Sequence, residues 1–422
     1  MAFKQFDRVP NHYAGPVIQR IKDFRENEGK RSLAPTRLTV GRLEVLVPRH
    51  FGFCYGVERA IHMAFSAMDR HPDKRFNLVS EIIHNPLVND DLEGRGVRFM
   101  HDQNGERLVS EEEISSDDVV LIPAFGTTRE IEDSLQRSGI DTASEEFREH
   151  YDTTCPFVSK VWTRGEELAR EGYTIIIHGK YRHEETQATR SHTQQYGRTL
   201  VVLDREEALS VAAFITGRTG VGEFREVFEG KWSEGFDPER DLSRVAVVNQ
   251  TTMLAEETKE VAAILRDAMA ERYGSKDLDR HFADTADTLC YATNWNQNAT
   301  RALLDSEPDL AVIVGGYNSS NTSHLVEICE RVMPSYLIGS AGDLLSRERI
   351  RHYDIHRKEV VETGMWLPEE LPARLVVTSG ASCPDVLMDD VVQRIAGYYG
   401  YDGDDIRAGL RNLALHEPAA VS

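Results

Sequence analysis

After about residue 40 the chain alternates short β-branched runs with longer amphipathic stretches, and this alternation constrains the fold more than any other feature. Parallel strands cannot be joined by a tight hairpin and need a crossover, usually a helix. The pattern therefore reads as βα units around mostly parallel sheets, an α/β protein. Strands are expected at 43–47, 77–79, 119–123, 174–178, 199–203, 244–248, 310–314, 336–338 and 374–377, most of them leading into a Gly- or Ser-containing turn. Helical periods are expected at 57–68, 128–137, 157–171, 252–273, 294–305, 320–331 and 385–398. The arm 1–40, the Gly- and charge-rich stretch from about 217 to 240 and the tail after about 403 read as peripheral.

At 422 residues, 40% of them apolar, the chain is long enough to bury several cores, so two to three domains are expected. Its apolar runs fall far short of the roughly 18 residues that would cross a bilayer. Residues 1–40 contain Asp7, Asp23, Glu26 and Glu28 and lack the apolar core of a secretory signal, so a cytoplasmic location and no membrane partner are expected. The formal net charge of −21 argues against nucleic acid as a partner. It also repels anions at long range, so a phosphate site would have to be built from local donors.

Five cysteines, an odd number without close pairing, do not form a disulfide framework. Cys54 lies in Gly52-Phe53-Cys54-Tyr55-Gly56 between an expected strand and helix, where the glycines allow the backbone close to a bulky group. Cys155, followed by Pro156, suits an N-cap, and Cys290 has the same placement without the proline. Asp152-Thr153-Thr154-Cys155 and Asp287-Thr288-Leu289-Cys290 share a D-T-x-C pattern. A helix N-terminus lowers a thiol pKa and favours metal ligation, but free cysteine is commonly a small buried hydrophobe. The wide spacing matches no zinc or ferredoxin motif, so both readings stay open. Cys329, on an apolar helix face, reads as core, and Cys383 is ambiguous.

Polar clusters end several strands, where open α/β sheets bind ligands. Ser319, Ser320 and Asn321 follow the Gly315-Gly316 turn, and Ser382 closes Thr378-Ser379-Gly380-Ala381. Such helix starts can bind an anion or simply cap themselves. His84, the run His183-Glu184-Glu185 and Gln250-Thr251-Thr252 also end strands, and taken singly each could be an ordinary loop or cap.

In order along the chain stand G-F-C-Y-G-V-E-R-A-I from Gly52, I-H-N-P from Ile83, D-T-T-C-P-F-V-S-K-V from Asp152 and H-E-E-T from His183. N-Q-T-T from Asn249, D-T-L-C-Y-A-T-N from Asp287, N-S-S-N from Asn318 and G-A-S-C-P-D from Gly380 complete the set. This ordered set, within about residues 43 to 398, resembles the family of 4-hydroxy-3-methylbut-2-enyl diphosphate reductases, which catalyse the last step of the methylerythritol phosphate route to isoprenoids. The resemblance implies three α/β domains in a pseudo-threefold arrangement around a central [4Fe–4S] cluster. The segments would be an arm 1–40, domains at 41–145 with Cys54, 146–285 with Cys155 and 286–402 with Cys290, and a tail 403–422. The first domain would be completed by the arm and part of the C-terminus.

By the same resemblance, Cys54, Cys155 and Cys290 hold the cluster and leave one iron open to the substrate hydroxyl. Glu185 is the proton donor, and Thr251 positions that hydroxyl. The diphosphate is bound by His84, His183, Ser319, Ser320, Asn321 and Ser382, and the electrons come from a ferredoxin or flavodoxin. No Lys or Arg is among these positions, so substrate binding is expected to lean on protonated His84 and His183 and to weaken as pH rises through about 6.5. Many bacterial members carry A-H-G where this chain has Ala124-Phe125-Gly126, so one histidine contact to the diphosphate is absent, as in the longer plant and cyanobacterial branch. A competing reading is a non-redox protein or hydrolase with Zn²⁺ on three Cys and a His, its Ser/Asn turns holding a phosphorylated ligand. A non-catalytic descendant would have no need to keep both Glu185 and the three cysteines.

Overall fold

The computed structural model describes residues 6–27, 32–102, 105–283 and 288–416. It is mixed α/β, and its chain divides into two compact units. One comprises Met1–Glu58, His84–Asn89 and Tyr291–Ser422, and the other Arg59–Ile83 and Asp90–Cys290.

The first unit is built on an eight-stranded sheet. Its centre is parallel: Ser335–Ile338, Leu310–Val314, Ala373–Ser379 and Leu43–Val47 run side by side. Thr36–Val40 and then Ala414–Leu415 extend one edge antiparallel, and the hairpin Arg349–Asp354/Glu359–Gly364 extends the other. Each central strand is apolar on both faces, as a sheet covered twice requires. Leu310, Val312 and Val314 point into one core with Leu375 and Val377, while Ala311, Ile313 and Val376 point into the other with Leu325 and Cys329.

The second unit has two parallel sheets. Arg98–Phe99, Phe76–Leu78 and Val119–Leu121 form the smaller, prolonged by a bridge from Ile122 to Asp152. Thr199–Val202, Thr174–His178, Val245–Asn249 and Phe282–Ala283 form the larger. Period-two alternation again divides the side chains, with Ile175 and Ile177 on one face and Ile176 on the other. Among the described residues, no helix is long and apolar enough to cross a membrane.

Within their described residues, the three stretches that read as peripheral are integral. Helix Pro16–Asn27 buries Val17, Ile18 and Ile21, and the carboxylate of buried Asp389 accepts the N–H groups of Val17 and Ile18 at 3.1 and 2.8 Å. Strand Thr36–Val40 and the end strand Ala414–Leu415 lie in the large sheet. In the 217–240 stretch, helix Val221–Phe228 buries Phe224 and Phe228, one helical turn apart, and Trp232 and Phe236 stack beside them. A few anchors at helical spacing sufficed, and the surrounding charges masked them. The hairpin 349–364 also escaped the reading, because it is largely solvent-exposed and lacks the apolar run of a core strand.

Candidate active site

Each of the three cysteines ends a connection that leaves a sheet and immediately precedes a helix: Tyr55–Arg70, Pro156–Arg170 or Tyr291–Leu304. These three are partly exposed, whereas Cys329 and Cys383 are fully buried, Cys329 among apolar side chains. Asp287, the acid of the second D-T-x-C echo, lies outside the described residues.

In the second unit the structure gathers Cys155, Cys290, His183, Glu185, Thr251 and Phe125. Cys155 is tied to the Phe125 loop by its N–H donating to the Ala124 carbonyl at 2.8 Å. Its thiol is pushed up to about 11 by burial, which outweighs the lowering N–H groups of Phe157 and Val158, with smaller upward pushes from Cys290 and Glu185. The helix-start expectation of a depressed thiol therefore fails for the unligated side chain, because burial and neighbouring potential anions win. A thiol that coordinates a metal gives up its proton outright, so the raised value describes only the unligated side chain. Cys54, the third candidate ligand, belongs to the other unit, and no group of three or more His, Cys, Asp or Glu poised for a metal ion occurs among the described residues.

Glu185 is 2% exposed in the first turn of helix Glu184–Gln194. Its Oε1 accepts the Thr251 N–H at 2.5 Å and its Oε2 the Thr251 hydroxyl at 3.0 Å. With Oε1 held by a backbone donor, a proton on Glu185 belongs on Oε2, facing Thr251 Oγ1. Thr251 itself is held by Gln250, whose Oε1 accepts from Lys180 N–H and Thr186 Oγ1 and whose Nε2 donates to Thr252 Oγ1. Gln250 read only as a cap in the sequence; its position in N-Q-T-T at a strand end was the available signal. His183 is the N-cap, and its Nδ1 accepts the Glu185 N–H at 3.2 Å. That bond requires an unprotonated Nδ1 and so places the ring proton on Nε2.

The first unit gathers His84, Ser319, Ser320, Asn321, Ser382 and Cys54. Val314 and Ser379 pair across adjacent parallel strands, so both polar turns leave the same sheet edge. Ser319 caps helix Ser320–Cys329, accepting from Thr322 N–H at 3.3 Å and Thr322 Oγ1 at 2.9 Å, which bears out its capping role. Ser320 is 2% exposed in the first position of that helix. Asn321 Oδ1 accepts from Ala381 N–H at 2.9 Å, while its Nδ2 is buried without a hydrogen-bond partner among the described residues. Such an orphan donor is costly unless a ligand satisfies it. Ser382 Oγ donates to the His84 carbonyl at 3.1 Å, and His84 Nδ1 lies 3.3 Å from the Asn318 amide nitrogen. Cys54 is fixed by its N–H donating to Ala381 O at 3.0 Å, so a thiol and the Ser382 turn share one scaffold. Gly380 permits this packing, because a Cβ there would overlap Thr322.

The profile of the family described as LytB protein matches residues 45–396. The chain belongs to the LytB protein family. It is 42% identical over 359 residues to 4-hydroxy-3-methylbut-2-enyl diphosphate reductase of Synechococcus sp. strain CC9311, covering 85% of this chain and 86% of that protein. The same-named protein of Microcystis aeruginosa is 40% identical over 395 residues, covering 93% and 91%. The E-1-hydroxy-2-methyl-but-2-enyl-4-diphosphate reductase structure from Plasmodium falciparum shares the fold, with a TM-score of 0.58 at 20% identity, covering 90% of this chain and 94% of that one.

In this LytB chain the Phe125 ring lies edge-on to His183, with centroids 6.3 Å apart at 82°, and is buried. The loop behind it is clamped. His192 stacks on Trp162 with centroids 3.9 Å apart, and its Nε2 lies 3.1 Å from the Thr127 carbonyl. Gly126 adopts φ +77°, and a Cβ there would overlap the Trp162 indole. Gly126→Ala is therefore expected to cost about 2–3 kcal/mol, combining a strained left-handed backbone with overpacking, read as a lower midpoint in denaturant unfolding. An unchanged midpoint would mean that Trp162 moves aside freely.

Proposed function

We propose that this protein reduces 4-hydroxy-3-methylbut-2-enyl diphosphate to isopentenyl and dimethylallyl diphosphate, acting in the cytoplasm. The observation that carries the reading is the buried Glu185–Thr251 pair beside Cys155 and Cys290. The reaction takes up two electrons and two protons, breaks the carbon–oxygen bond and releases water. Cys54, Cys155 and Cys290 would hold a [4Fe–4S] cluster, which when bound would supply the electrons and Lewis acidity.

The protein's own part is binding and proton supply. When Glu185 carries a proton on Oε2, the Thr251 hydroxyl turns from donor to acceptor of their hydrogen bond, so that its own proton goes to the substrate hydroxyl as the bond breaks while it takes the one from Glu185. His84, His183, Ser319, Ser320, Asn321 and Ser382 bind the diphosphate, and the unsatisfied Asn321 amide supplies one specific donor. The burial of Glu185 and Thr251 keeps bulk water away from that proton. Electrons arrive from a ferredoxin or flavodoxin.

The hydrogen bonds revise the expected pH dependence. Nδ1 of His183 accepts the Glu185 N–H and Nδ1 of His84 lies beside the Asn318 amide nitrogen, so both rings would reach the diphosphate through Nε2–H, a contact that needs no charge. A single obligatory imidazolium would weaken binding about 20-fold between about pH 7 and 8.5. The geometry instead gives less than about a threefold change, measurable by calorimetry with the allylic diphosphate. A steep loss of affinity would restore the charged-histidine reading.

The deciding experiment is an anaerobic assay with the allylic diphosphate and a chemical reductant, joined to absorption and metal analysis of protein purified without oxygen. A brown, iron-containing protein that forms both products supports the reductase. A colourless zinc protein that leaves the substrate intact supports the phosphate-binding or hydrolase alternative.

A further inference from the structure

The two D-T-x-C segments place a threonine two residues before Cys155 and two before Cys290, and the chemistry proposed above uses neither Thr153 nor Thr288. Both are buried, at 0% and 7% exposure. Thr153 gives its N–H, at 3.1 Å, and its hydroxyl, at 2.7 Å, to the carbonyl of Ile122, one residue beyond strand Val119–Leu121. From Ile122 the chain runs into the Phe125 loop. The Thr288 hydroxyl donates to Oδ1 of Asn249, the last residue of strand Val245–Asn249, and from there the chain enters Gln250-Thr251. The four-residue echo is therefore also an echo of structure. In each case a hydroxyl ties a cysteine-bearing turn to the strand end from which a turn of the candidate site departs.

The second tie has a fixed polarity. Asn249 is 1% exposed, and its Nδ2 donates to the Gln250 carbonyl at 2.9 Å. A carbonyl only accepts, so Nδ2 must face Gln250 and Oδ1 must face Thr288, which leaves the threonine hydroxyl as the donor. Valine has nearly the same outline and cannot make this bond.

Beyond Asn249 the connection continues to the proton path. The Gln250 N–H donates to the His178 carbonyl at 2.9 Å, and its side chain holds Lys180, Thr186 and Thr252. Thr186 follows Glu185 in the chain, and Thr251 meets Glu185 directly. Thr288 thus stands two residues from Cys290, and its partner Asn249 stands two residues from Thr251. A cavity of about 120 Å³ lies against the turn, lined in part by Asn249, Thr288 and Leu289. Close packing is interrupted there, so hydrogen bonding has the larger share in fixing the turn.

We propose that Thr288 and Asn249 are positioning residues that set the place of Cys290 relative to the Glu185–Thr251 pair. The proposal rests on the reductase reading and deepens it by naming what aligns a ligand-bearing turn with the proton path. A misplacement of about 1 Å between reacting groups can cost about 10²-fold in rate, so two turns that serve one reaction need a direct tie. The tie acts on alignment and leaves the diphosphate contacts alone.

The test compares Thr288→Val and Asn249→Ala with Thr288→Ser in the full-length chain. In reduced, metal-free protein, iodoacetamide labelling followed by peptide mass mapping should be at least about fivefold faster at Cys290 in the first two variants, with Cys155 within about twofold of wild type. In iron-loaded protein, kcat driven by dithionite and a viologen should fall about tenfold in both, with KM within about twofold. Thr288→Ser keeps the hydroxyl and should restore both readouts. Should Asn249→Ala fail to fold, the valine and serine variants of Thr288 decide alone. Parental Cys290 labelling and kcat in Thr288→Val overturn the proposal, even if the unfolding midpoint falls. Equal acceleration at Cys155 and Cys290 would mean general loosening, and a raised KM with parental kcat would place Thr288 in substrate binding; either result overturns it. If the Cys290 labelling pattern appears but wild-type protein leaves the allylic diphosphate unreduced, the tie stands and the reductase reading falls.

Discussion

Glu185→Gln is expected to lower turnover at least about 10²-fold while iron content and substrate affinity stay near those of the parent. Glutamine has nearly the same shape, and its carbonyl oxygen can still accept the Thr251 N–H, so the helix start and the turn stay in place. What it lacks is a releasable proton at Oε2, next to the Thr251 hydroxyl. Thr251→Val removes that hydroxyl and leaves the carboxylate, so it should lower turnover by the same route. Because the two residues act as one path, the double variant should be little worse than the poorer single, a non-additivity expected of directly coupled groups. Single-turnover assays with chemically reduced protein separate this step from electron supply. Glu185→Gln protein with near-parental turnover would remove Glu185 from the role of proton donor, and fully additive losses would separate the pair.

Cys155→Ser is expected to remove most of the iron and, with it, essentially all reductase activity, without unfolding the second unit. Cys155 packs beside Val158, Trp162 and Ala188, and serine preserves the N-cap geometry in front of Pro156. The fold therefore depends little on this sulfur, whereas a thiolate-ligated cluster depends on it wholly. Iron and sulfide assays on anaerobically purified protein, with circular dichroism as the folding control, decide the question. Parental iron content would return Cys155 to the role of a partly buried packing residue. Cys329→Ser is the contrasting control: it buries a hydroxyl among Leu303, Leu325 and Val326, so it should cost stability while leaving the iron in place.

The parallel strands were legible because they are apolar on both faces, and runs such as Leu310–Val314 and Val245–Asn249 have no other reading in a chain with helical periods between them. Helices with long amphipathic patterns were legible to within a few residues at their ends. Segments whose burial rests on a few anchors were not: Phe224 and Phe228, or Val17, Ile18 and Ile21, sit among charges that dominate any local average. At the site, the residue types were visible, but their pairing was not. Nothing local in His183-Glu184-Glu185 shows that Glu185 meets Thr251, 66 residues away in the chain, or that His183 spends Nδ1 on the Glu185 N–H. The elevated thiol of Cys155 was equally hidden, because the sequence shows the helix start that lowers it and not the burial, Cys290 and Glu185 that raise it.

The central sheet of the first unit imposes an order on biosynthesis. Leu43–Val47 is hydrogen-bonded to Ala373–Ser379, Thr36–Val40 to Ala414–Leu415, and Cys54 to Ala381. The second unit takes nearly all its residues from one stretch that emerges earlier, so it can fold while the ribosome is still making residues beyond Cys290. The loop bearing Cys54 must wait for almost the last strand of the chain, so Cys155 and Cys290 are in place before Cys54 is. Under the proposed function, a group that needs all three thiols would therefore be acquired only by the finished polypeptide. Nascent chains stalled before residue 373 should protect the second unit from protease and leave Cys54 open to alkylation; early protection of Cys54 would contradict that order.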